Sequence, residues 1–183
     1  MTLIRKQRPA RRGTVLVESA LMIPIFLMII FMIVEMGFFV SVRHSLENAA
    51  RVGVRYASVN LDLNGAPNPN LAADTRTLVF NQIGFYGTSG IIIGIDPPTA
   101  GSATPTFQTP LNATNHILVR GYDDTTGTML ASPEACNLLD QVAVEIYAGY
   151  TPIVPVTRML GIFGIFQGNV KCLVNVRMTA EYN

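Results

Sequence analysis

The residues best suited to chemistry stand near the start of the chain, where Gly13 and Thr14 are followed by Glu18. Glu18 lies at the edge of an apolar run, and a carboxylate inside a membrane is costly unless it is paired or neutralised. Hydrolysis of the Gly13–Thr14 peptide bond would give Thr14 an α-amino group and make Glu18 the fifth residue of the product. That cation would pair with Glu18 in the same chain or in a neighbouring subunit. Alternatively, Glu18 is an interfacial residue in an anchor that is never cut.

One long helix is predicted to position these residues. Residues 20–34 contain no polar side chain, and with its flanks the apolar segment covers about residues 15–42, long enough to cross a bilayer. Residues 1–13 carry five basic residues and no acid, so the positive-inside rule places this leader in the cytoplasm. Helical spacing continues beyond the apolar segment. We therefore predict a helix over residues 14–58 and an extracytoplasmic domain over residues 59–183.

Two other interpretations of the apolar segment are weaker. A buried core helix that is apolar all round needs a larger protein around it. A cleavable secretory signal ends at a small-residue cleavage site. After Val34 the sequence instead keeps the pattern of a continuing helix, with small and apolar residues at helical spacing. These residues are Val42, Leu46, Ala49, Ala50, Gly53 and Ala57. The small ones permit close contact, either with the chain's own domain or with another subunit.

Three further features of the helix carry expectations. Glu35 is expected to be an interfacial residue near the outer membrane boundary rather than a proton relay. Pro24 is expected to bend the helix or leave carbonyl groups for other partners. Glu47 and Arg51 have the favourable spacing and orientation for an ion pair on a helix surface.

Composition and motifs narrow the function classes. The 183 residues are 49% hydrophobic and 14% charged, which excludes a disordered chain, and the net charge of +1 disfavours nucleic-acid binding. No C-x-x-C, P-loop, G-x-S-x-G or two-histidine metal motif occurs in the sequence, so a membrane-tethered enzyme is disfavoured and no metal or cofactor is predicted. Asp123 and Asp124 lack the spacing of a calcium loop and predict a solvated turn.

The two cysteines, Cys136 and Cys172, would both lie outside the cytoplasm. Thiols in that environment can form a disulfide. Cys172 falls on the apolar side of an alternating strand pattern, so a buried free thiol is the alternative.

The first third of the chain resembles a known family. The block RRGTVLVESALMIPIFLMIIFMIVEMG, residues 11–37, resembles a type IV prepilin leader and core helix. The segment SLENAARVGVRYA, residues 45–57, is more narrowly similar to the TadE-like family of tight-adherence pilus pseudopilins, as are Pro24 and the Glu35-x-Gly37 motif. A weaker similarity is the Y-x-P-x-x-P-like turn formed by Tyr150, Pro152 and Pro155.

This resemblance implies a minor pseudopilin or pilus-assembly subunit in the bacterial inner membrane. Prepilin peptidase would process it on the cytoplasmic face after Gly13. Its partners would be other pilins or pseudopilins, the assembly platform and membrane lipid, with no nucleic acid and no small-molecule substrate. The large C-terminal part argues against the principal filament subunit. Thr14 departs from the Phe or Met that type II secretion pseudopilins usually have there, which favours the tight-adherence branch. The alternative is an uncleaved single-pass anchor that displays a binding domain.

The rest of the chain predicts a small domain on this helix. A second helix is expected over residues 71–85, and a long exposed loop over the Pro- and Thr-rich residues 96–112. Strands are expected at residues 91–93, 116–122, 142–146 and 170–180. The apolar segment 159–166 belongs to the core or to an apolar tip. We therefore expect a pilin-like α+β fold, with three or four antiparallel strands packed against the outer part of the long helix.

Overall fold

The computed structural model describes residues 12–61, 68–97, 107–108, 110–123, 125–130, 141–153 and 170–179. The helices in these residues are α1 (Arg12–Val59), α2 (Leu71–Ile83), α3 (Phe85–Thr88) and α4 (Ala113–His116). The strands are β1 (Ile92–Ile95), β2 (Phe107–Gln108), β3 (Ile117–Tyr122), β4 (Gln141–Tyr150) and β5 (Val170–Thr179). The helix and strands confirm the predicted α+β fold class.

Helix α1 is a single helix of 48 residues, about 72 Å long, and it continues through Pro24. It has two different halves. Every side chain from Gly13 to Val34 is exposed. From Glu35 onward one face of the helix is buried against the domain formed by the later helices and the sheet. We call this domain, together with the outer half of α1 that packs in it, the head. The apolar half therefore projects from the head as a free rod.

Helix α1 is also the central element of the head's core. The side chains that it contributes are all fully buried: Val42, Leu46, Ala49, Ala50, Val54 and Ala57. They pack against α2 and against one face of the sheet, where the β4 side chains Val142, Val144 and Ile146 are also fully buried. The core of the head is thus built around the outer half of the helix that carries the apolar rod.

Helix α2 ends where glycine permits a change of direction. Gly84 has φ +55°, and its backbone N–H donates to the carbonyl of Phe80. Glycine adopts this left-handed conformation without the steric cost that a Cβ imposes. The predicted helix over 71–85 is therefore split into α2 and the single turn α3, with Gly84 between them.

The sheet is built around β4. One edge of β4 pairs with two strands placed end to end: β3 pairs with residues 141–146, and β1 pairs with residues 148–150. The other edge pairs with β5 along all ten residues. Strand β2 pairs with the outer edge of β1, and every pairing is antiparallel. Side chains on β3 alternate between buried and half-buried, as expected for a strand with one face on the core.

The described strands correspond to the four predicted segments, but several boundaries differ. His116 is the last residue of α4 rather than the start of a strand, because Asn112 caps a helical turn that ends there. Strand β4 extends to Tyr150, beyond the predicted limit at residue 146. Segment 96–112 is not an exposed loop throughout, since it contains β2 and the buried side chain of Leu111. Strand β2 brings the described sheet to five strands instead of three or four.

Candidate functional site

The predicted cleavage bond lies in the first turn of α1. Gly13 and Thr14 are both exposed, and a Cβ placed on Gly13 would meet no atom within 4 Å. Glu18 is exposed too, and it lies four residues after Thr14, so the two residues are neighbours on one face of the helix. The structure therefore places the residues of the predicted charge pair one helical turn apart on an accessible surface.

In the described part of the chain, α1 is the one helix long and apolar enough to cross a membrane. Residues 13–34 form 22 consecutive exposed positions, equivalent to about 33 Å of helix. The hydrocarbon core of a bilayer is about 30 Å thick. The exposure of these side chains rules out the interpretation of the apolar segment as a buried core helix.

The side chain at the boundary between the two halves of α1 is Glu35, which is only 8% exposed. Its Oε1 accepts a hydrogen bond from the Tyr150 hydroxyl at 2.5 Å and another from the backbone N–H of Ile153 at 3.0 Å. Tyr150 is itself buried and makes an edge-to-face contact with Phe39, with ring centroids 5.6 Å apart. We call this arrangement of Glu35, Tyr150 and Ile153 the boundary contact.

The boundary contact ties the last residues of β4 to the point where α1 leaves the head. Because a buried polar group without partners costs about 1–3 kcal/mol, these hydrogen bonds stabilise a carboxylate that would otherwise oppose folding. The sequence placed Glu35 near the membrane boundary but did not indicate its partner. The one available signal was that Glu35 and Tyr150 both belong to motifs that carry the family resemblance.

The small residues of α1 contact the chain's own domain. Ala49, Ala50 and Ala57 are fully buried in the head, and a Cβ placed on Gly53 would overlap Cγ2 of Val79 on α2. Gly53 therefore allows α1 and α2 to approach closely. Of the two roles considered for these residues, packing within the head is the one that the structure displays.

The exposed face of the outer half of α1 mixes arginines with apolar side chains such as Val52 and Val59. Arg43 and Glu47 form an ion pair with Nε and Oε1 3.0 Å apart. Glu47 thus pairs with the arginine one turn before it rather than with Arg51, the predicted partner. Exposed pairs of this kind contribute about 0.3–0.5 kcal/mol, so the difference has little effect on stability.

A second polar cluster surrounds His116, which is almost fully buried. Its Nδ1 accepts a hydrogen bond from the backbone N–H of Asn112 at 2.8 Å, so the proton of the neutral ring resides on Nε2. Nε2 lies 3.7 Å from the Asp96 carboxylate. Gly94 packs directly against the ring, where a Cβ would overlap it. Burial lowers the pKa of His116 below its ordinary value of 6.5, although Asp96 opposes that shift.

A third cluster joins β3 and β4. The carboxylate of Glu145 is buried, and its Oε2 lies 3.1 Å from Nε of Arg120 and accepts a hydrogen bond from the Tyr147 hydroxyl at 3.0 Å. Burial and the neighbouring carboxylate raise the pKa of Tyr147. The cluster neutralises a buried charge between two strands, which is a structural role.

The predicted solvated turn at Asp123 and Asp124 is described in part. In the turn after β3, the Asp123 carboxylate accepts hydrogen bonds from Thr125 and Thr126, and these bonds lower its pKa. Asp124 lies outside the described residues. Among the described residues, no group of three or more His, Cys, Asp or Glu side chains is placed to hold a metal ion.

Neither the predicted disulfide nor the apolar segment 159–166 can be placed. Cys136 and residues 159–166 lie outside the described residues. The backbone of Cys172 pairs with Ala148 between β5 and β4. The disulfide remains a prediction.

The long helix, with an apolar exposed half and an outer half packed in an antiparallel α+β head, agrees with the predicted α+β layout and fits a membrane-anchored protein. The family model described as TadE-like protein matches residues 13–55, which span the exposed rod and most of the helix inside the head. Comparison with curated proteins and with solved structures found no match. The family match confirms the predicted resemblance over residues 13–55 and suggests a membrane protein associated with a tight-adherence pilus.

Proposed function

We propose that this protein is a minor pseudopilin or pilus-assembly subunit of a tight-adherence, type IV-like secretion system. It is held in the bacterial inner membrane by the inner half of α1, with the N-terminus in the cytoplasm and the head outside. Prepilin peptidase removes the basic leader after Gly13. The subunit then works by packing its helix against those of other pilins or pseudopilins, on the assembly platform or in the fibre.

The division of α1 at Glu35 is the observation that carries this proposal. Residues 13–34 are all exposed, while the outer half of the same helix contributes to the core of the head. A rod of this kind has its apolar side chains free for lipid or for other helices. It is also joined rigidly to the domain that it would place on a fibre surface.

The position of Glu18 supports processing after Gly13. A carboxylate in hydrocarbon is tolerated when a cation lies close by. Cleavage would place the new α-amino group of Thr14 at the N-terminus of the helix, about 6 Å along the axis from Glu18. In an assembly, the same carboxylate would pair with the Thr14 amino group of a neighbouring subunit and so set the axial stagger between helices.

The N-terminal sequence of the protein recovered from native membranes tests the proposal. Processing predicts Thr14 as the first residue. A start at Met1 or Thr2 would indicate an uncleaved anchor, and a start within residues 40–60 would indicate an ordinary secretory signal. Gly13→Val should abolish the Thr14 product, whereas Gly37→Val, at another exposed glycine of α1, should leave it unchanged.

The role of Glu18 is tested separately from processing. Glu18→Ala should reduce incorporation into the assembled system while the protein still fractionates with the membrane. Ser19→Ala, at the adjacent exposed position, is the matched control and should assemble normally. Normal assembly of the Glu18 variant would contradict the proposed charge pairing.

An uncleaved single-pass anchor is the second candidate function. It is favoured by the start of α1 at Arg12, which places the Gly13–Thr14 bond inside helical backbone in the intact chain. In that case the head would be a permanently tethered binding domain, and the Gly13 variant would behave like the unchanged protein.

A further inference from the structure

Two chain reversals of the head lie at the end nearest the exposed half of α1. Helix α2 runs antiparallel to α1, because its Val79 lies at Gly53 while Tyr86, further along the chain, contacts Ser41 with hydroxyl oxygens 3.2 Å apart. Residues 84–91 therefore form one reversal at the lower end of the head. Residues 150–153, at the end of β4, begin the other, which leads to the antiparallel strand β5.

Both reversals are attached to α1 at similar heights. The boundary contact holds residues 150–153 at Glu35, and the Tyr86 hydroxyl holds α3 at Ser41. Glu35 and Ser41 are six residues apart, about 9 Å along the helix axis. The strand pairing joins the reversals to each other, since the backbone N–H of Thr151 donates to the carbonyl of Ile91 at 2.8 Å.

The exposed apolar side chains of the head concentrate at this end. Among the described residues outside α1, three large hydrophobic side chains are exposed, and two of them belong to these reversals. Phe85 is 73% exposed and Ile153 is 41% exposed. The third, Met129, belongs to the turn after β3.

We infer that Phe85 and Ile153 enter the outer interface of the lipid bilayer, so that the head is seated on the membrane rather than held above it. This inference rests on the proposed membrane crossing by residues 13–34. That segment spans the hydrocarbon core and brings Glu35 to its outer edge. The headgroup region covers about 5–8 Å beyond the core on each side, and both reversals are attached to α1 close to that layer.

The chemistry of the two reversals suits this layer. Aromatic side chains favour the membrane interface, where the ring leaves water and neighbouring polar groups stay hydrated. Phe85 stands next to Tyr86, whose hydroxyl is bonded to Ser41, with the two ring centroids 6.1 Å apart. Lipid is favoured over a protein partner because exposed apolar side chains continue along α1 past Glu35 as far as Val40, level with both reversals.

The absence of tryptophan from the sequence makes a direct test available. Full-length single-tryptophan variants are reconstituted in phosphatidylcholine vesicles whose lipids carry bromine near the headgroup end of the acyl chains. Phe85→Trp and Ile153→Trp report the two reversals independently. Val59→Trp is the matched control, since Val59 is 72% exposed, much like Phe85, and lies about 27 Å beyond Ser41 along α1. Ile25→Trp, near the middle of the rod, reports whether the rod itself lies in lipid, in vesicles whose lipids carry bromine near the methyl end of the acyl chains.

Both reversal probes should show blue-shifted emission and quenching by the brominated lipid at least about twofold stronger than the Val59 probe, whose tryptophan should be quenched by aqueous acrylamide. If Ile25→Trp is quenched by lipid but the reversal probes behave like Val59→Trp, the seating on the membrane is wrong while the crossing stands. Blue-shifted reversal probes without lipid quenching would indicate protein contact and would also overturn the inference. Failure of the Ile25 probe would overturn the membrane crossing as well.

Discussion

At the scale of single residues, Glu35 has the most informative environment in the chain. It lies on α1 where the apolar rod ends, and it accepts hydrogen bonds from residues more than 110 positions away. The carboxylate accepts these two hydrogen bonds only when β4 has docked on the helix. Its hydrogen bonds therefore couple folding of the head to the position of the helix.

Loss of the Tyr150 hydroxyl should weaken this coupling measurably. Tyr150→Phe keeps the ring contact with Phe39 but removes one hydrogen bond to the buried carboxylate. The free energy of unfolding should fall by about 1–3 kcal/mol. Thermal unfolding in detergent micelles should show a Tm lower by at least about 2 °C.

The matched control is Tyr86→Phe, which removes an exposed hydroxyl contact with Ser41. Such a surface change should alter stability by no more than about 0.5 kcal/mol. If the two variants lost equal stability, the hydrogen bond to the buried Glu35 would contribute no more than the exposed one, which would contradict this prediction.

The contacts of Glu35 and His116 were beyond sequence-based prediction for a physical reason. Residue type and spacing placed Glu35 at the membrane boundary, because both properties are local. Its partner Tyr150 is brought near only by the register of β4, and a hydrogen bond leaves no periodic trace in the sequence. The fit of Gly94 against the His116 ring depends in the same way on tertiary packing.

His116 predicts a pH dependence of stability with a defined sign. Burial lowers its pKa in the folded state below 6.5, so between the two pKa values the unfolded chain binds more protons than the folded chain. The free energy of unfolding should therefore fall as the pH decreases below about 6.5 and level off below the folded-state pKa. Protonation of Nδ1 would also place its N–H against the backbone N–H of Asn112, and two donors cannot form a hydrogen bond with each other.

The measurement is the difference between the stability curves of the unchanged protein and of His116→Gln, between about pH 7 and pH 5. The His116 variant should lack the part of the decrease in unfolding free energy that protonation of His116 causes. His44→Gln, at an exposed position on α1, should retain it. If the His116 variant had the same stability curve as the unchanged protein, His116 would not be the source of the pH dependence.

At the scale of elements, the contact between α1 and α2 depends on one missing side chain. Gly53→Ala would drive a methyl group into Val79, whose β-branched side chain cannot easily turn away. Overpacking of this kind costs about 1–3 kcal/mol, more than the roughly 1 kcal/mol that alanine gains in a helix. Denaturation in micelles should therefore show a destabilised variant.

A double-mutant cycle sharpens this expectation. Val79→Ala should be tolerated better beside Gly53→Ala than alone, because each change relieves the other. Gly37→Ala is the glycine control on the same helix, since a Cβ there meets no atom within 4 Å, and it should leave stability unchanged or raise it. Additive losses in the cycle would show that the two helices separate at Gly53 instead of clashing.

Elements were more predictable than contacts, because their signals are periodic. The apolar spacing of α1, the helical spacing of α2 and the alternation in β4 and β5 all indicated the element types that the structure contains. Two of the misplaced boundaries lie at Gly84, a left-handed glycine at which α2 ends, and at His116, which belongs to a helical turn that starts at the Asn112 cap. Strand β2 has only two residues, too few to show a period.

At the scale of the whole molecule, the head and the outer half of α1 form one folding unit. Val42, Leu46 and Val54 alone contribute about 5–9 kcal/mol of apolar burial, comparable with the roughly 5–15 kcal/mol that stabilises an ordinary domain. A chain of residues 35–183 should therefore unfold cooperatively, whereas residues 60–183 should not fold. Near-ultraviolet circular dichroism and amide exchange distinguish these outcomes. Cooperative unfolding of residues 60–183 would contradict the role of α1 as the core.

Because the anchor and the centre of the head are the same helix, the exposed domain cannot be shed intact by a protease that cuts within the part of α1 that the head surrounds. Such a cut would divide the hydrophobic interior and leave two fragments with unsatisfied apolar faces. Release from the cell envelope in a native state would instead require a cut nearer the N-terminus or withdrawal of the entire rod from the lipid. An energy-driven machine that lifts whole subunits out of the bilayer would meet that requirement.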